Sequence, residues 1–241
     1  MVYLESTPST NGAARQLLAE QQPAHGTVVY THCQTAGRGQ RGNSWEAEPG
    51  ANVTMSLILR PDGVMATEQF FISECVALAV ASVGAESLGN AGEEGTVKWP
   101  NDIYVVDRKI AGILIENSLQ GVAIESSIAG IGLNVNQRSF VSDAPNPVSL
   151  LQLTGREYDV EKLIVNIAHS ILDNLWRPRE EVHAEYKRRM WRRDGYHNYS
   201  TPDGATFEAR IAEVDASGLL LLQKADGGNE WFAFKEVAAI L

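Results

Sequence analysis

The stretch Gly37-Arg38-Gly39-Gln40-Arg41-Gly42 has the glycine spacing of a dinucleotide-binding turn. Such a turn needs a strand before it and a helix after it. The strand is present, because Thr27-Val28-Val29-Tyr30-Thr31-His32 is apolar and β-branched. The helix is not. Residues 43–50 show no 3.6-residue apolar period and end in Pro49-Gly50. Asp62 lies near the distance of a ribose-binding acid, but Arg60-Pro61-Asp62-Gly63 reads as a turn. This excludes a Rossmann unit and predicts a strand–loop–strand connection into a strand over 52–59. Three glycines allow close backbone approach, and two arginines add forked cationic donors. The loop is suited to closing over an anion.

At 241 residues and 44% hydrophobic content, the chain can bury a core as one large domain or a large plus a small one. A formal net charge of -10 disfavours nonspecific nucleic-acid binding. No apolar run reads as long enough to span a bilayer, and Met1-Val2-Tyr3-Leu4-Glu5-Ser6 lacks a basic n-region. The expectation is a cytoplasmic protein with no membrane partner. Cys33 and Cys75 are the only cysteines and read as two free, buried thiols. His25, His32, His169, His183 and His197 have no metal-ligand spacing, so no metal site is assigned.

Ser9-Thr10-Asn11 are helix-capping types ahead of a short helix over 12–20. Residues 67–88 read as a buried helix, and Gly89 to Gly95 as a turn. Strands are expected over 96–99, 103–106, 110–116 and 122–133, with Asp107-Arg108 at hairpin-loop spacing. Helices are expected over 148–153, 159–176 and 179–193. The run Lys187-Arg188-Arg189-Met190-Trp191-Arg192-Arg193 reads as a solvated helix face, since Glu185 sits at helical spacing from Arg188 and Arg189. Residues 195–200 read as a linker. Beyond it, alternating segments over 206–211, 218–222 and 230–234 are separated by turns at Pro202-Asp203-Gly204 and Ala225-Asp226-Gly227-Gly228. That pattern predicts a small β-barrel docked on the rest.

Four segments fall in order: Ser9-Thr10-Asn11; the loop from Gln34 through Trp45; Lys98-Trp99-Pro100-Asn101-Asp102 with Arg108-Lys109-Ile110-Ala111-Gly112; and Gly130-Ile131-Gly132-Leu133-Asn134-Val135-Asn136. In this order and wording they resemble the biotin protein ligases over nearly the whole chain. The combination is specific, although no single segment is. The resemblance implies an α+β fold. A mixed-sheet catalytic domain of the class II aminoacyl-tRNA synthetase/biotin ligase type would span 1–194, and an SH3-like β-barrel 195–241. It implies that biotin and ATP, with Mg²⁺, give biotinyl-5′-AMP and pyrophosphate. A lysine of a biotin carboxyl carrier protein then attacks the adenylate. The alternatives are a lipoate–protein ligase of the same fold and a non-catalytic biotin-binding module.

The resemblance also implies roles. Ser9, Thr10, Asn11 and Gln34 would read the biotin ureido ring, with plain helix capping as the other reading of the first three. Gly37, Arg38, Gly39 and Gln40 would form the anion-closing loop, with Arg38 on the carboxylate and phosphate. Trp45 would pack on adenine, or else be a core tryptophan. Lys109 would bridge carboxylate and α-phosphate, and Asp102 would orient Lys109 or Arg38 or help place Mg²⁺. Asn101 and Asn134 would lie near adenine, and Gly112 would let the pocket wall approach. Gln40 and Asn43 stand where arginines are common in bifunctional members. Ser9 begins so early that no helix-turn-helix segment fits before it, so a monofunctional member that does not bind DNA is expected. Pairing of exposed strands makes a homodimer conceivable.

Overall fold

The computed structural model describes residues 1–89, 95–142 and 145–241, with Arg41 described by its backbone alone. The elements run β1 (Val2–Leu4), α1 (Thr10–Glu20), β2 (Thr27–Thr31), β3 (Val53–Leu59), α2 (Phe70–Leu88), β4 (Gly95–Lys98), β5 (Asp102–Val105), β6 (Arg108–Gln120) and β7 (Ala123–Leu133). Then come α3 (Leu150–Thr154), α4 (Val160–Leu175), α5 (Arg179–Arg188), β8 (His197–Ser200), β9 (Thr206–Val214), β10 (Leu220–Lys224), β11 (Asn229–Phe232) and β12 (Ala238–Ala239).

Seven strands form one sheet in the order β1-β2-β3-β7-β6-β5-β4. β1 pairs parallel to β2 and the other neighbours are antiparallel, so the sheet is mixed. Every residue of β3 is buried, which requires cover on both faces. Alternation assigns the cover. Val28, Met55 and Leu57 belong to the large core with α2 and α4. Val29, Ile58 and Ile128 pack with Ala14 of α1 on the other face. α2 is small and apolar nearly all round, as a helix buried on all sides must be. Gly95 lets β4 run tight against it, because a Cβ there would stand 2.8 Å from the Ala81 carbonyl oxygen.

The second sheet, β11-β10-β9-β8-β12, is antiparallel throughout. It seats on the first unit through α2, α5 and the β4–β5 turn. Trp99 Nε1 donates to the Gly218 carbonyl at 3.0 Å. Lys187 Nζ pairs with Glu213 at 2.6 Å.

Several expectations need correction. Residues 197–200, read as linker, form β8, because Tyr199 is buried and stacks with Phe207. α5 ends at Arg188, and Trp191 is 6% exposed, its Nε1 donating to the Val106 carbonyl at 2.8 Å. The basic run is therefore only partly a solvated face. Glu185 does pair with Arg189 at 3.2 Å and Arg188 at 3.9 Å. Ala66–Leu88 is long and apolar enough to cross a membrane by length and composition alone, but most of it is buried inside the fold as a core helix. Cys33 is half-buried and Cys75 buried, both free. Most of the turn expected from Gly89 to Gly95 lies outside the described residues.

Candidate active site

A cavity of about 830 Å³ opens on the α1 face of the sheet, at the N-terminus of α1. The period of two selects what reaches it. Ile58 and Ile128 pack under α1, so Ser56 and Gly130, two residues along, face the same side. Ser56 Oγ donates to Asn11 Oδ1 at 2.6 Å and lies 2.8 Å from Thr10 Oγ1. Asn11 Nδ2 reaches the Leu114 carbonyl (3.3 Å) and Glu116 Oε2 (2.9 Å). Gln34 Oε1 accepts the Thr10 backbone N–H at 2.9 Å. Ser9 is the N-cap of α1 yet makes no side-chain cap bond, so its hydroxyl is left to the cavity it lines. Capping therefore does not account for these three side chains.

The floor is glycine. A Cβ on Gly130 would overlap the Asn11 carboxamide, one on Gly132 would overlap the Trp45 indole, and one on Gly112 would sit 3.0 Å from Trp45 Cζ3. Trp45 thus lies flat on β6 and β7, with its Nε1 buried and without a hydrogen-bond partner among the described residues. The loop that brings it there is a narrow hairpin. Trp45 N donates to the Gly37 carbonyl at 3.0 Å, and Gly39 N to the Asn43 carbonyl at 2.7 Å. Gly37 does not line the cavity. It lets the two limbs of the loop meet, since a Cβ there would stand 2.5 Å from the Trp45 carbonyl oxygen. Arg38, Gly39 and Gln40 do line it.

The β5–β6 hairpin supplies the charges. Lys109 Nζ lies 2.7 Å from Asp102 Oδ1, with 24% and 22% of the side chains exposed. A register shift between Ile103 and Tyr104 sets Lys109 opposite Tyr104 while Asp102 stays opposite Gly112. Lys109 Nζ is also 5.7 Å from the Trp45 ring centroid. Asn101 lines the cavity and donates to the Ile113 carbonyl at 2.7 Å. Asn134 lies off the wall. It is buried beneath, its Nδ2 donating to the Val148 carbonyl at 3.0 Å and its backbone N–H to that of Ile110 at 2.9 Å.

Sequence reasoning missed most of the wall. Lys98 lines the cavity, its Nζ 3.1 Å from the Tyr104 hydroxyl, and burial pushes its pKa below the usual lysine value. Trp191, Tyr199, Ile211, Leu220 and Phe234 close the far side, most of them from the second sheet. Lys98 heads the Lys98-Trp99-Pro100-Asn101-Asp102 segment, which by itself gives that lysine no role, and the alternation of β9 and β10 marks a buried face without saying what covers it. Within a chain of net charge -10, this cavity is lined by the cations Arg38, Lys98 and Lys109 together with the carboxylate of Asp102. It suits an anionic ligand with a polar group at the end held by the Thr10, Asn11, Gln34 and Ser56 network. Among the described residues no group of three His, Cys, Asp or Glu is placed to hold a metal.

Comparison with known proteins agrees. Residues 3–134 match the model of the biotin/lipoate A/B protein ligase family. The chain is 32% identical over 240 residues to the bifunctional ligase/repressor BirA of Bacillus subtilis, covering 94% of this chain and 70% of that protein. It is 34% identical over 166 residues to the biotin–[acetyl-CoA-carboxylase] ligase of Paracoccus denitrificans, 67% of each. Among solved structures, the biotin protein ligase of Aquifex aeolicus in complex with biotin and ATP superposes with a TM-score of 0.77 at 21% identity, over 99% of this chain and 97% of that one. That likeness shows the fold. A matched family model over more than half its length, and these relatives, establish that the chain belongs to the biotin/lipoate A/B protein ligase family.

Proposed function

We propose that this chain is an ATP-dependent biotin–protein ligase that forms biotinyl-5′-AMP and passes the biotinyl group to a lysine of a biotin carboxyl carrier protein. The observation that carries the reading is the placement of one ion pair. Lys109–Asp102 stands beside a glycine floor whose other end holds the Thr10, Asn11, Gln34 and Ser56 network. A ligand with a polar ring at one end and a carboxylate at the other fits that span.

In the first step the carboxylate oxygen attacks the α-phosphorus of ATP, the bond to the β-phosphate oxygen breaks, and pyrophosphate leaves. Two anions must meet, so cations fixed in a water-poor cavity are the main requirement. Lys109 and Arg38 are the candidates to offset the meeting charges, and Asp102 holds Lys109 in place. Ser9, Thr10, Asn11 and Gln34 hold the ring. The loop from Gly37 to Trp45 covers the adenylate against water. In the second step the carrier amine attacks the acyl carbon and AMP leaves. Mg²⁺ bound to the ATP phosphates would offset part of their charge, and Asp102, paired with Lys109, is the carboxylate on this wall that could meet it. The catalytic unit is taken as residues 1–194 and the small β unit as 195–241.

Biotin-dependent ATP–pyrophosphate exchange, with lipoate as control, is the test. Exchange with biotin alone supports the reading, and exchange with lipoate alone replaces it with lipoate ligation. Biotin binding without exchange reduces the chain to a binding module.

A further inference from the structure

Lys98 ends β4 on the cavity wall, and among the described residues it makes no ion pair. Its ammonium is 3.1 Å from the Tyr104 hydroxyl and 5.3 Å from the centroid of the Trp191 ring. Lys98 is half-buried and feels the Asp102 carboxylate, but that group is already paired with Lys109, so the ammonium stays costly unless a further anion arrives to meet it.

Register says where along the ligand that anion lies. Lys98 is directly opposite Asp102, Asp102 opposite Gly112, and Gly112 opposite Gly132. Opposed residues of an antiparallel ladder share a face. One row therefore runs from the glycine floor under Trp45, past the Asp102–Lys109 pair, to Lys98. The ring-reading network of Asn11 and Ser56 gathers beside Gly130, at the glycine end of that row. Lys98 is at the opposite end, beyond the reacting centre.

Phosphoryl transfer places the attacking and leaving oxygens roughly in line across the phosphorus. A carboxylate that enters from the glycine end expels pyrophosphate toward the Lys98 end. We propose that Lys98 holds the β- and γ-phosphates of ATP and the departing pyrophosphate, and so serves the adenylation step but not the transfer step. This rests on the ligase reading above. The burial that lowers the Lys98 pKa is consistent with it, since a bound polyanion restores the ammonium.

The test uses the full chain with Lys98→Met and Lys98→Arg. Three quantities are measured: biotin-dependent ATP–pyrophosphate exchange, transfer from chemically prepared biotinyl-5′-AMP to a carrier protein, and pyrophosphate binding by calorimetry. In Lys98→Met, exchange should fall by about 100-fold with a raised KM for pyrophosphate. Transfer from the prepared adenylate should stay within about twofold of the parent. Lys98→Arg should recover most of the exchange. Exchange within about threefold of the parent in Lys98→Met overturns the proposal. So does an equal loss in both half-reactions, with Lys98→Arg equally impaired. If the parent binds pyrophosphate but shows no biotin-dependent exchange, the ligase reading fails. Calorimetry on Lys98→Met then still decides whether Lys98 is the pyrophosphate ligand.

Discussion

Lys109 sits on the cavity wall, 2.7 Å from a carboxylate of its own chain, where the proposed mechanism has two substrate anions meet. Replacing it with alanine removes the positive charge and leaves Asp102 facing those anions. For Lys109→Ala the expected loss in biotin-dependent pyrophosphate exchange is ~100–1000-fold, or ~3–4 kcal/mol of barrier. A folded Lys109→Ala chain with near-normal exchange would remove Lys109 from the mechanism. This residue was legible because its segment is specific and a lysine at the head of a β-branched strand is held at a rim. Lys98 was equally visible in the sequence. What was missing is the pairing of β4 with β5, which alone sets Lys98 in line with Asp102. Asn134 shows the opposite failure. Its segment placed it at the site, but its side chain points into the packing below, where its amide braces the Val148 carbonyl.

Elements bring these residues together through tight contacts that small residues permit. A Cβ at Gly132 would overlap the Trp45 indole, so Gly132→Ala should displace Trp45 from the floor and shrink the cavity at its centre. The expected result is a raised KM for biotin with the fold intact, read by steady-state kinetics alongside a thermal melt. An unchanged KM would show that Trp45 moves aside at no cost. Helix contacts carry a pH dependence as well. Glu74 of α2 is 3% exposed, with Oε1 2.6 Å from His183 Nδ1 of α5. Burial pushes its carboxyl above the ordinary value, and the His183 hydrogen bond only partly opposes this. The folded state then holds a proton that the unfolded state has released. This group's contribution is full below the ordinary carboxylate value and is lost as pH rises through the raised one. Glu74→Gln should therefore gain in Tm relative to the parent as pH increases across that window. A Tm difference that stays flat with pH would show that His183 neutralises the burial effect. Sequence patterning found α2 and α4 to within a few residues. A buried Glu in an apolar helix gives no sign of its partner, because that partner is more than a hundred residues away.

At the scale of the whole molecule, the small sheet is both a support and a wall of the cavity. Its strands were readable from alternation, but their place against the β4–β5 turn was not, since that docking depends on Trp99 and Phe70 meeting one glycine. Gly218 has φ +92°, and a Cβ there would stand 2.5 Å from Phe70 Cδ2. Its carbonyl accepts the Trp99 indole N–H, two residues before Asn101 and three before Asp102. Gly218→Ala combines left-handed backbone strain with a clash, a cost of ~1–3 kcal/mol. For a chain of this size that corresponds to a Tm lower by ~2–12 °C. The effect on catalysis should be selective. The Thr10–Asn11–Ser56 network lies on α1 and β3, away from this contact, whereas Leu220 and Ile211 of the small sheet line the same cavity as Lys98. Below its melting temperature, the variant should show a raised KM for ATP and an unchanged KM for biotin. A fall in kcat with both KM values unchanged would mean that the small sheet stabilises the fold without shaping the nucleotide side of the cavity.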